Sequence, residues 1–127
     1  MPSLRKATKT ALKATDYATI LEVNDRGALR GIYWSDPDTL TQNETLRITI
    51  DGDVVLDAAK DTPNTAEYLN LVKSILSNTI VNTTDEPTIT SQKTPFHSSL
   101  KIEYKRAAAG TTGLSVTVLY SVKEYFA

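Results

Sequence analysis

Thr45-Leu46-Arg47-Ile48-Thr49-Ile50-Asp51-Gly52-Asp53-Val54-Val55-Leu56 is the stretch whose reading decides the fold. Side chains alternate faces along a strand, so Leu46, Ile48 and Ile50 fall on one side. Thr45, Arg47, Thr49 and Asp51 fall on the other. Asp51-Gly52 then signals a tight hairpin, because glycine adopts the positive φ that a primed turn requires. A hairpin with one apolar face must bury that face against something.

Two later segments repeat the pattern. Leu100, Ile102 and Tyr104 alternate with Ser99, Lys101, Glu103 and Lys105. Leu114, Val116, Val118, Tyr120 and Val122 alternate with Ser115, Thr117, Leu119 and Ser121. Residues 107–113 between them read as a hairpin loop. Upstream, residues 18–23 and 28–34 read as strands joined by an Asn24-Asp25-Arg26-Gly27 turn, with Gly31 marking a bulge or a close backbone approach. Ser35-Asp36-Pro37-Asp38 is a turn, and loop continues to Glu44. Residues 79–83 and 88–90 are short β-prone pieces on either side of Asp85-Glu86-Pro87.

One helix is expected near residues 65–77. Asn64 would cap it, Glu67 would reach back, and Tyr68, Leu69, Leu71, Val72, Ile75 and Leu76 would form an apolar stripe. It should lie across one end or edge of the sandwich. The expected class is mainly β: an antiparallel β-sandwich of seven or eight strands, with this short helix and an N-terminal arm.

The chain has 127 residues, 40% hydrophobic and 23% charged, which suits one ordinary globular core. No apolar run approaches bilayer-spanning length, and no apolar stretch follows the basic N-terminus as a Sec signal would require. No membrane association is expected. The net charge of −1 hides an asymmetry. Residues 1–15 carry Arg5, Lys6, Lys9 and Lys13 and no acid, while the other 10 basic groups face all 15 acids, a balance of −5. The expected organisation is therefore a basic arm over 1–15 and a single sandwich domain over 16–127. The arm is rich in Lys, Thr and Ala. It is expected to be disordered in the isolated protein and to order along a partner.

Catalytic chemistry has little to stand on. The sole histidine, His97, lies beside Ser98 and Ser99, with no nucleophile-elbow pattern around them. Asp51, Asp53 and Asp57 cluster in sequence, as do Asp36 and Asp38, but the spacing of a calcium loop is missing. With no cysteine there is no disulfide, thiolate site or Cys nucleophile. No glycine-rich phosphate loop occurs among the five glycines. Asn43-Glu44-Thr45 and Asn82-Thr83-Thr84 match the glycosylation sequon and read as chance matches. No catalytic, metal or cofactor residue is assigned, and no enzyme activity is expected. The partner-binding candidates are Arg5, Lys6, Lys9 and Lys13, which suit an acidic protein surface better than nucleic acid because no aromatic lies among them. Tyr33 and Trp34 join them as an aromatic pair able to anchor an interface or stack on a sugar.

The segments Gly27-Ala28-Leu29-Arg30-Gly31-Ile32, Leu46-Arg47-Ile48-Thr49-Ile50-Asp51-Gly52 and Pro95-Phe96-His97-Ser98-Ser99-Leu100-Lys101-Ile102-Glu103 occur in that order. Their layout resembles that of small jelly-roll virion proteins of tailed bacteriophages. The resemblance implies a jelly-roll sandwich and a non-enzymatic role as a capsid decoration (cement) protein, or as a tail, neck or fibre-attachment component. It also implies a homo-oligomer partnered by the major capsid protein or other virion subunits. The competing reading is a carbohydrate-binding β-sandwich module using Tyr33, Trp34 and loop aspartates.

Overall fold

The computed structural model describes residues 3–12, 16–35, 44–60, 66–83, 93–106 and 114–123. Its strands are β1 (Ser3–Leu12), β2 (Ala18–Val23), β3 (Gly27–Ser35), β4 (Glu44–Ile50), β5 (Asp53–Lys60) and β6 (Ala66–Leu69). The helix α1 (Leu71–Ser77) follows, then β7 (Asn82–Thr83), β8 (Thr94–Phe96), β9 (Leu100–Arg106) and β10 (Leu114–Val122).

The β4–β5 hairpin forms as its sequence dictates. Ile50 pairs with Asp53, leaving Asp51 and Gly52 as the two-residue turn. Both have positive φ, 53° and 86°, as a type I′ turn demands. Pairing then runs outward from this hairpin: β3 with β6, β2 with β9, and β1 with β10, all antiparallel. The chain is thus one long hairpin of paired strands. Wrapping it brings β10 against β3 and β9 against β4. Two sheets result, ordered β1-β10-β3-β6-β7, with β8 also on β3, and β2-β9-β4-β5. That winding is a jelly roll.

The alternating apolar positions meet between the sheets. Leu46, Ile48 and Leu56 face Leu100, Ile102 and Tyr104 in the smaller sheet, and all are buried. Leu29, Ile32, Val116, Val118, Tyr120 and Val122 close the core from the larger sheet. The anticipated irregularity at Gly31 is present: the register with β10 shifts beside it, so Leu119 opposes Gly31 while Tyr120 opposes Leu29.

Two expectations are corrected. The helix begins at Leu71, not near 65, because residues 66–68 are spent on pairing with β3 and Leu69 on pairing with β7. Asn70 caps it, its side chain accepting from the Lys73 N–H at 3.2 Å. Second, much of the N-terminal arm is not an arm. Residues 3–9 and Leu12 pair with β10, making β1 the outer strand of the larger sheet. The expected helix–edge contact is present: α1 lies against β5, and the Asn78 side chain accepts from the Asp57 N–H at 3.0 Å. The segment 88–90 and the loop 107–113 lie outside the described residues.

Candidate functional site

β1 carries the charge. Its register sets Arg5 opposite Tyr120, Ala7 opposite Val118, and Lys9 opposite Val116, all core residues of β10. Lys6 and Thr8 alternate to the other face, opposite Leu119 and Thr117. Ala7 is half-buried against the core, whereas Arg5, Lys6 and Lys9 are exposed. Small Ala7 suits the margin, where the second sheet does not fully cover the strand. Long basic side chains on either side of it reach water. Three of the four basic candidates are therefore gathered on one edge strand. Lys13 lies outside the described residues.

Thr8 begins a row that crosses the outer face of the larger sheet. Thr8, Thr117, Tyr33, Tyr68 and Thr83 are successive register partners from β1 to β7. The Thr8 and Thr117 hydroxyls are 3.1 Å apart. The rings of Tyr33 and Tyr68 lie 4.8 Å apart, tilted by 40°. Such a tilted contact is favourable beyond its buried area. Tyr33 is thus an outer-face residue, half-exposed, with Tyr68 as its neighbour. The backbone of Trp34 pairs with Val116 and Glu67, in the next row. Its side chain lies outside the described residues. Local spacing places Tyr68 on a helical stripe; only the pairing of β6 with β3 reveals it beside Tyr33.

The smaller sheet has its own outer cluster. Thr19, Glu103, Arg47 and Asp57 are register partners across β2, β9, β4 and β5. Arg47 donates twice to Glu103, through Nε at 3.0 Å and Nη2 at 3.1 Å. That fork geometry is the strong form of an ion pair, and it raises the Arg47 pKa. The Tyr17 ring lies 3.5 Å from the Arg47 guanidinium carbon and 4.5 Å from Lys105 Nζ. Its hydroxyl donates to Asp57 at 2.5 Å. Burial, then the Asp57 hydrogen bond and charge, push the Tyr17 phenol up to about 12. The cluster ties the start of β2 to β5 across two intervening strands.

Asp51 is committed elsewhere. Its carboxylate accepts from the backbone N–H groups of His97, Ser98 and Ser99 at 2.7–3.1 Å, and from the Ser98 hydroxyl at 3.1 Å. Its own N–H donates to the Ser99 carbonyl at 3.0 Å. Partial desolvation opposes ionisation, but the donated hydrogen bonds together outweigh it and lower the pKa to about 2. His97, Ser98 and Ser99 thus form a nest for this carboxylate, fastening the β4–β5 turn to the β8–β9 connection. Among the described residues, no group of three or more His, Cys, Asp or Glu side chains could hold a metal ion. Among them too, no helix is long and apolar enough to cross a membrane.

No family model and no curated protein matches the chain. A solved structure does. "Structure of infectious bursal disease virus Gx strain" is similar over 95% of this chain, at 14% identity and a TM-score of 0.44. This chain spans 32% of the length of that one.

Proposed function

We propose that the chain is a non-enzymatic structural protein of a virion, a capsid decoration (cement) protein that binds and stabilises neighbouring capsid subunits. The observation that carries the reading is β1: a strand with Arg5, Lys6 and Lys9 exposed, at the margin of a molecule otherwise acidic in balance. A rigid sandwich edge of one charge sign steers a partner of the other sign and fixes its orientation. The virion role rests on fold-level analogy. The three segments of the phage-like layout become β3, the β4 strand with its turn, and the β8–β9 unit of a jelly roll. Repetition over many symmetric copies would make modest contacts sufficient, whether at the capsid or at the tail, neck or fibre attachment.

The test is co-sedimentation with particles that lack this protein. The full chain should pellet with them, and an Arg5→Gln/Lys6→Gln/Lys9→Gln variant with an unchanged melting temperature should not. Absence of the full chain from the pellet, or equal pelleting by both, would overturn the reading.

A second reading is favoured by Tyr33 and Tyr68. Two adjoining tyrosine rings flanked by threonines on an outer sheet face could stack on a sugar. A Tyr33→Ala/Tyr68→Ala variant that pellets normally but loses retention on a polysaccharide column would favour a carbohydrate-binding module.

A further inference from the structure

Apart from β8, a strand of three residues paired only with β3, the described residues offer four sheet margins to compare. In the smaller sheet, β5 has its Asp57 N–H covered by the Asn78 side chain. β2 has a register break between Thr19 and Leu21, which interrupts its edge. At the far side of the larger sheet, β7 is two residues long. β1 differs from all three. Its register against β10 is unbroken over residues 3–9, and no described strand pairs with its other side. A strand paired on one side only directs backbone N–H and C=O groups outward at every second residue.

Charge selects what can occupy that edge. A second copy of β1 laid alongside would bring two sets of Arg5, Lys6 and Lys9 together, and like charges opposed across strands destabilise the pair. An apolar strand would leave the three cations with no complementary charge. A strand bearing carboxylates gains from the same side chains that deter self-pairing. Arg5 and Lys9 are four residues apart on one face and Lys6 is on the other, so the complementary segment carries acids on both faces.

We propose that β1 is a strand-addition edge, and that an extended acidic segment of a neighbouring virion subunit docks there as an extra strand of the larger sheet. Backbone hydrogen bonds hold the segment, and the three cations choose it and fix its register. The partner's class rests on the virion reading above. The edge itself is testable on the isolated protein, so the two can fail separately.

The probe is a short synthetic peptide of glutamate, threonine and valine with carboxylates on both faces. Its glutamine-for-glutamate counterpart is the control. Added to the isotope-labelled full chain, the acidic peptide should shift the amide resonances of residues 3–9 and protect alternate amides there from exchange. Affinity should fall about tenfold or more for the glutamine peptide, for the Arg5→Gln/Lys6→Gln/Lys9→Gln variant, and for the wild-type chain at high salt. The salt titration needs no variant, so a folding defect in the triple substitution leaves the test intact. Resonance shifts centred outside β1, equal binding of the neutral peptide, or no binding would overturn the edge proposal. Co-sedimentation would continue to judge the virion reading on its own.

Discussion

Asp51 holds a left-handed φ that asparagine also tolerates, so Asp51→Asn removes its charge while sparing the turn. Its folded pKa of about 2 lies below the usual 3.8. The carboxylate therefore adds stability above about pH 4 and loses it as the pH falls toward 2. Melting temperatures recorded from pH 6 to pH 2 should drop more steeply for the wild type than for Asp51→Asn. Parallel curves would contradict the assignment. Gly27 tests packing rather than charge. A Cβ there would lie 1.9 Å from the Ser121 carbonyl oxygen and 2.7 Å from Phe96 Cζ. Gly27→Ala should cost more than about 2 kcal/mol in urea unfolding, since backbone must move to admit it. Ile48 and Ile102 face each other fully buried, and truncating either to Ala should cost about 2–5 kcal/mol. A loss under about 0.5 kcal/mol at both would mean their faces were misassigned. The burial of these two was legible, because alternation along one strand is local information. The role of Asp51 was not, because its partners lie 46 to 48 positions away along the chain.

The β6–α1 unit shows why an element can be recognised and its boundary missed. Tyr68 and Leu69 fit a helical stripe, and Asn64 with Glu67 mimics a capping box. Pairing of residues 66–68 with β3 overrides that local preference, and Asn70 supplies the cap instead. Inside α1, Ser74 is buried; its hydroxyl donates to the Val81 carbonyl at 3.2 Å and accepts the Val81 N–H at 3.0 Å. Ser74→Ala removes both bonds and should cost about 1–3 kcal/mol by chemical denaturation. A neutral effect would show that the helix is not fastened there. Asn78 ends the helix at a φ of 50°, and its side chain covers the β5 edge. β1 was missed for a related reason. It contributes Ala7 to the core margin but no run of large apolar side chains, so no period-2 signal marks it as a strand.

At the scale of the molecule, β1 is part of the sandwich that carries its charges. Deleting residues 2–14 should strip β10 of its outer neighbour along Val116, Val118 and Tyr120, and lower the melting temperature by about 10 °C or more. An unchanged transition would return the segment to the status of an arm. Glutamine substitutions at Arg5, Lys6 and Lys9 should leave the transition nearly unchanged, because exposed charges contribute little to folding. Together the two results would separate the strand's structural role from its surface role. The sandwich was legible from three alternating segments and one turn. Its winding emerges only when the pairs β1–β10, β2–β9, β3–β6 and β4–β5 are known. Amide hydrogen exchange of the full chain, free and bound to particles that lack it, tests strand addition at β1 most directly. A docked strand should slow exchange in residues 3–9 on the particle while the core strands β4 and β9 stay as they were. Binding with no change in those amides would contradict the claim.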